Sequence, residues 1–275
     1  QSENVYICLL RGYVDMSYKY IQVERHEEAA VIRLDRPKAH NALCTALNLE
    51  LEEALYTLEG EEQIRALILT GGDTCFAAGA DVKELVGKDP TGARRMAEIG
   101  QRINVSLEHF PVPVIAAVNG PALGGGFEMI LACDFRILAT NAILGLPEVT
   151  LGILPGAGGT QRLTRLIGLA KSKELVLLGT AISAKTADQY GLATKLVQPE
   201  HVMDEAMALA KKLSASPASS LMLAKQAMAY GEAYGPQAGR EFENILFGQS
   251  FSSQDQLEGI TALLEKRTPK FCHIR

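Results

Sequence analysis

None of the five cysteines, Cys8, Cys44, Cys75, Cys133 and Cys272, stands at C-x-x-C spacing from another. An odd, dispersed set argues against a disulfide framework and for a reducing compartment. The five histidines, His26, His40, His109, His201 and His273, form neither H-E-x-x-H nor a cluster with cysteine, so no metal site is expected. All ten residues read as packing or surface. Long apolar runs are missing too. The most apolar region, residues 112–133, is interrupted by Pro113, Asn119-Gly120-Pro121, a glycine triplet and Glu128, whereas a membrane helix needs roughly 20 uninterrupted residues. No membrane association is expected. Positive charge is not in excess: 27 Lys and Arg face 32 Asp and Glu, a formal net charge of -5, so nothing in the overall charge attracts nucleic acid or anionic lipid. Nucleotide-binding signatures are absent as well, since there is no G-x-x-x-x-G-K-[ST] and the glycine clusters do not spell G-x-G-x-x-G behind a strand.

What is present is ample apolar material, 47% of 275 residues, enough for one large α/β domain or a core with a smaller appendage. Residues 1–15 have an apolar patch at 5–10 but no basic leader or cleavage site, and read as an N-terminal extension, native or not, outside the fold. Residues 20–25 and 29–34 flank the polar His26-Glu27-Glu28 in a hairpin pattern. Leu47, Leu51, Ala54, Leu55 and Leu58 recur at helical spacing, and Gly60 closes the run. Residues 66–70, 114–118 and 135–139 are short apolar runs of the kind that form buried strands, with helical stretches at 91–110 and 125–133 between them. Strands alternating with helices predict an α/β core. After Gly168 only residues 195–197 read as strand, while helical patterns cover 171–178, 184–190, 204–213, 217–230, 237–247 and 253–266. The expected division is an extension at 1–15, a core at 16–200 and a helical region at 201–275.

Two acids stand beside glycine-rich stretches: Glu128 in Gly124-Gly125-Gly126-Phe127-Glu128, and Glu148 ahead of Pro155-Gly156-Ala157-Gly158-Gly159-Thr160. Glycine lets a substrate approach the main chain, and a carboxyl group in an apolar pocket keeps its proton closer to neutral pH than a solvated one. A helical Glu is ordinarily a solvated surface residue, but the neighbours of Glu128, Phe127-Glu128-Met129-Ile130-Leu131, leave no surface face around it. An ionisable group in such a run needs a partner or a purpose. Acids near exposed amides suit the making and quenching of an enolate.

Five ordered motifs carry a resemblance. Asp35-Arg36-Pro37-Lys38-Ala39-His40-Asn41-Ala42-Leu43, Phe76-Ala77-Ala78-Gly79-Ala80-Asp81, the stretch Asn119 to Glu128, Ala132-Cys133-Asp134-Phe135-Arg136 and the stretch Leu146 to Arg162 resemble the crotonase superfamily, most closely enoyl-CoA hydratase. Glu at both acidic positions narrows the likeness to the hydratases. The resemblance implies an α/β spiral of repeated ββα units with a C-terminal helical region used for trimerisation, as a homotrimer or a hexamer made of two trimers. It implies addition of water to a 2-enoyl-CoA, giving a 3-hydroxyacyl-CoA, with no prosthetic group and with coenzyme A as part of the substrate. By the same resemblance the backbone N–H groups of Ala80 and Gly125 form an oxyanion hole, Glu128 positions and deprotonates water, and Glu148 exchanges the proton at the α-carbon. Coenzyme A is expected against Lys38, Ala39, His40, Ala78, Asp81, Val82, Lys83 and Gly124, although Lys83 also reads as a solvated lysine at an ordinary helix start. The tail pocket is expected from residues 91–103 and 143–146. A bacterial cytoplasm, or a mitochondrial matrix after removal of a transit peptide, is the expected location.

Other readings stay open at this stage. A crotonase-fold isomerase or other acyl-CoA lyase uses the same oxyanion hole with a different acid set. An RNA-binding relative is argued against by the negative net charge, and no nucleic acid partner is expected. Arg94, Arg95 and Arg102, like Lys171 and Lys173, have no interleaved aromatics and read as solvated faces. Asp134 is expected to bond locally at a helix end, Arg162 to be structural, and Met129, Met222 and Met228 to pack.

Overall fold

The structure is a computed structural model that describes residues 17–27 and 29–274; the expected extension at 1–15 lies outside them. β1 (Ile21–Arg25) and β2 (Ala29–Leu34) form the expected hairpin, in a register running from Ile21 opposite Leu34 to Arg25 opposite Ala30. α1 (Thr45–Glu59) buries Leu47, Leu51, Ala54, Leu55 and Leu58, the face its sequence spacing predicts. β3 (Ala66–Thr70) and β4 (Val114–Val118) are buried at every residue. That is why they read as continuous apolar runs: strands covered on both faces have no polar side to alternate with.

With β6 (Phe135–Ala139) and β9 (Lys195–Val197) these strands form one sheet in the order β1-β2-β3-β4-β6-β9, antiparallel at the hairpin and parallel elsewhere. A smaller sheet joins β5 (Ala122–Leu123), β7 (Ile143–Gly145) and β8 (Ala181–Ser183). Single-residue bridges from Leu43 to Ala80 and from Ala77 to Ala122 continue this second layer. The chain therefore coils. Each turn places one strand in the large sheet and a short one in the small layer, then a helix: β4, β5 and α4 (Gly125–Leu131) make one ββα unit, and β6, β7 and α5 (Gly159–Leu178) make the next. Between β3 and β4 run the one-turn helix α2 (Val82–Leu85) and the long α3 (Pro90–Glu108), each N-capped by an aspartate, Asp81 and Asp89.

Several elements differ from the sequence expectation. β5, β7 and β8 are two or three residues long, too short for an alternation to declare itself. α5 begins at Gly159 rather than near 171, and Gly168, at φ 78° and ψ 159°, breaks the helical path inside it. Met228, expected to pack, is 70% exposed.

Beyond α6 (Ala184–Gln189), α7 (Val202–Ser214) lies on the large sheet and sinks Val202, Ala206 and Ala210 into the main core. α8 (Ala218–Tyr234) and α9 (Pro236–Ser250) pack on each other, and α10 (Gln254–Leu264) follows. These last helices leave Tyr234, Ile245, Phe247, Leu257 and Leu263 exposed. The expectation for Asp134 is corrected. Instead of a local helix-end bond, its Oδ2 accepts from the Val114 N–H at 2.7 Å and from Lys225 Nζ of α8 at 2.6 Å, tying that helix to β4 across 91 residues of sequence. Among the described residues no helix is long and apolar enough to cross a membrane.

Candidate active site

Glu128 is buried to 2% exposure in the first turn of α4. Its Oε1 accepts two backbone N–H groups, from Ala157 and Gly159, each at 2.8 Å. Gly159 is the first residue of α5, so the carboxylate of one helix caps the N-terminus of another, where the helix dipole favours negative charge. Burial pushes the Glu128 carboxyl above its ordinary pKa, and the two amides and the Arg162 guanidinium pull against that push. The close fit requires glycine at 159: a Cβ there would stand 2.9 Å from both Cγ and Oε1 of Glu128.

Glu148 opens the short 3-10 turn Glu148–Leu151 behind Pro147. Its Oε2 is buried and has no hydrogen-bond partner among the described residues. Burial raises its pKa from 4.5 to about 7, its own backbone N–H opposes this, and the charge of Glu128 adds to the rise. Two carboxyl groups thus share one neighbourhood but not one chemistry. Glu128 accepts two backbone N–H groups that favour its ionised form, whereas for Glu148 its own backbone N–H acts that way, so the two carboxyls titrate as a coupled pair in unlike surroundings.

The glycine triplet brings the main chain up to these acids. Gly124, at φ 50° and ψ -125°, precedes α4 in a conformation that side chains rarely adopt. A Cβ on Gly125 would lie 4.0 Å from Ala80 N and 4.0 Å from Glu128 Oε2, so the Ala80 amide, the start of α4 and the buried carboxyl converge. Peptide geometry aims the amides. Gly79 O accepts from Leu43 N at 2.8 Å and Gly124 O accepts from Glu128 N at 2.9 Å. Because a trans peptide points its N–H opposite its C=O, the N–H groups of Ala80 and Gly125 turn away from those bonds.

The remaining expected contacts fall on two neighbouring segments. Lys38 and Ala39 lie in the 3-10 turn Pro37–Ala39, and His40 follows in the left-handed region at φ 49°. The His40 carbonyl accepts from Ala78 N at 3.0 Å, joining this turn to residues 78–80. Lys38, His40, Ala78, Val82 and Lys83 are exposed, and Asp81 is buried. Asp81 spends its carboxylate on the protein: Oδ2 pairs with Arg36 Nη1 at 2.8 Å and Oδ1 caps α2 through Lys83 N at 3.1 Å. The Arg36 guanidinium holds the Asp81 carboxyl below its usual range.

The sequence model of the family described as Enoyl-CoA hydratase/isomerase matches residues 24–273. The chain belongs to that family. It is 42% identical over 257 residues to the crotonyl-CoA hydratase of Syntrophomonas wolfei, covering 93% of this chain and 99% of the relative. To the short-chain-enoyl-CoA hydratase of Clostridium acetobutylicum it is 39% identical over 253 residues, 92% and 97% of the two chains. The crystal structure of enoyl-CoA hydratase from Bacillus anthracis superposes with a TM-score of 0.89 at 40% identity, covering 93% of this chain and all of that one. The α/β spiral expected from the motifs is thereby borne out, as is the hydratase-like resemblance.

In this member of the hydratase/isomerase family, two side chains hold the loop that donates to Glu128: Asn104, which was not among the expected site residues, and Arg162, expected to be structural. Asn104, 2% exposed on α3, donates Nδ2 to Ala157 O at 2.9 Å. Arg162 donates Nη1 to the same carbonyl at 3.1 Å and pairs through Nη2 with Glu108 at 2.7 Å. Arg162 is structural, as expected, and its structure is the frame of the Glu128 site. An asparagine among apolar neighbours, Ile103-Asn104-Val105, was the available signal for the first.

Proposed function

We propose that the chain is an enoyl-CoA hydratase that adds water to a 2-enoyl-CoA thioester and releases a 3-hydroxyacyl-CoA. The observation that carries this reading is the convergence at Gly125, where the Ala80 amide and a Glu128 carboxylate oxygen each lie 4.0 Å from the point at which a side chain would begin. Membership of the family and about 40% identity to hydratases support it. Water oxygen bonds to the β-carbon, the C=C electron pair moves to the thioester oxygen, and the Ala80 and Gly125 N–H groups stabilise the charge that gathers there. Preset donors in a water-poor site need no reorganisation as that charge forms, and removing one such donor typically costs ~3 kcal/mol. Glu128 takes the proton of the attacking water; Glu148 delivers its own proton to the α-carbon. Proton exchange after product release restores the starting arrangement.

The names of the two relatives make short-chain substrates the first to test. In this reading coenzyme A runs along Lys38, Ala39, His40 and Ala78, past Val82, Lys83 and Gly124, while Asp81 keeps that wall in place through Arg36. No prosthetic group takes part in the steps above. The helices after residue 201, with their exposed Ile245, Phe247, Leu257 and Leu263, are the surface for assembly into a trimer or a pair of trimers, in a bacterial cytoplasm or a mitochondrial matrix.

Products decide the reaction class. Crotonyl-CoA incubated with the protein and separated by chromatography is expected to gain the mass of one water. Longer enoyl-CoAs that shift their double bond without gaining water would favour an isomerase.

A further inference from the structure

Two neutral amides on one face of α3 take consecutive carbonyls of the loop beneath Glu128. Gln101 donates Nε2 to Gly156 O at 2.8 Å, and Asn104, three residues on, donates Nδ2 to Ala157 O at 2.9 Å. Residues three apart on a helix share a face. The loop sits close enough for this because the contact is made of small residues: a Cβ on Gly100 would lie 3.1 Å from Ala157 Cβ, and one on Gly156 would lie 3.4 Å from Ala97 Cβ. The first of the two peptides matters most. Its carbonyl belongs to Gly156 and is held by Gln101; its N–H belongs to Ala157 and donates to Glu128 Oε1 at 2.8 Å. The peptide is trans, so a pull on the oxygen fixes the opposite direction of the N–H.

We propose that Gln101 is a positioning residue for Glu128: by holding the Gly156 carbonyl it aims the Ala157 N–H at the carboxylate that activates water. This rests on the hydratase reading above for the role of Glu128, and adds to it a residue that touches neither acid. Gln101 is exposed on α3, so its replacement spares the core. The charged groups that face Glu128 are Glu148 from the 3-10 turn and Arg162 from α5, with Glu108 of α3 acting through Arg162. Arg102, next to Gln101, is turned to Glu52 at 2.7 Å. The effect of Gln101 on Glu128 therefore runs through the peptide and not through charge.

The test compares wild type, Gln101→Met, which keeps length and loses the donor, and Gln101→Lys, which keeps an N–H donor at similar reach. One readout is steady-state hydration of crotonyl-CoA as a function of pH, and the other is titration of the 13C-labelled glutamate carboxyls by NMR, which needs no turnover. Gln101→Met is expected to lower kcat about fivefold, the worth of one ordinary hydrogen bond, with KM within about twofold by the same reasoning. A carboxylate that loses a donor becomes easier to protonate, so the acid limb of kcat and the Glu128 resonance both move to higher pH. Gln101→Lys restores kcat, and melting temperatures stay alike. Wild-type kcat and an unmoved Glu128 titration in Gln101→Met would overturn the proposal, as would a loss of melting temperature with no movement of the titration. Absence of hydration in the wild type would instead sink the hydratase reading, and the NMR titration would still decide for or against the link from Gln101 to Glu128.

Discussion

A Cβ atom placed on Gly124 would lie 2.9 Å from Oε1 of Glu148. Gly124 also holds φ 50°, so the main chain reaches the acid only because no side chain intervenes. Gly124→Ala should both strain the turn into α4 and displace the carboxyl. A backbone held in a rarely populated region costs about 1–3 kcal/mol, and a misplaced acid of this kind costs on the order of 10²-fold in kcat. Calorimetry and crotonyl-CoA turnover on the same preparation check the two parts.

Glu128→Gln keeps an oxygen that can accept from Ala157 and Gly159, so the fold should survive with its melting temperature near wild type. The base is gone. Turnover should fall about 10²–10⁴-fold, the usual worth of a positioned acid or base, while circular dichroism is unchanged. Wild-type turnover in this variant would remove Glu128 from the chemistry.

Glu148 keeps its proton to about pH 7, against 4.5 for an ordinary glutamate. Between these two values the native state binds more proton than the unfolded one, so the residue's contribution to stability falls as pH rises through that window and is flat above it. Glu148→Gln abolishes the titration. The melting temperature of the variant relative to wild type should therefore be higher at pH 8 than at pH 4. In kcat/KM, which reports the free enzyme, an alkaline limb near pH 7 should mark loss of the proton destined for the α-carbon.

Asp81, paired with Arg36, directly follows Ala80 in the chain, and its N–H is bonded to Leu43 O at 3.1 Å. Arg36→Met leaves a mostly buried carboxylate without its cation, a loss of about 1–3 kcal/mol. Asp81 has a lowered pKa, so its stabilisation is present above the unfolded value of about 3.8 and is lost as pH falls through the lower folded value. The melting difference between variant and wild type should be largest near neutrality and shrink in acid; a difference independent of pH would show that the pair does not carry it.

Elements that bury a whole face or both faces were legible in the chain: α1, β2, β3 and β4 lie where their apolar patterns put them. The acids were legible because Glu128 had no polar face to occupy. What escaped was set by distance along the chain. The donors to Glu128 come from 29 and 31 residues away, and Lys225 reaches Asp134 across 91. No local pattern encodes such partners. The short strands of the small sheet escaped for the opposite reason, being too brief to show a period, and Ile182 is the one buried residue of β8.

The most direct measurement is the rate at which enoyl-thioester absorbance disappears when crotonyl-CoA is mixed with wild type and, in parallel, with Glu148→Gln. The account predicts rapid loss of absorbance with wild type and a rate lower by about 10²–10⁴-fold with the folded variant. Equal rates in the two proteins would contradict the assignment of Glu148 as proton donor, and no loss of absorbance with folded wild type, on crotonyl-CoA and on longer enoyl-CoAs alike, would contradict hydration itself.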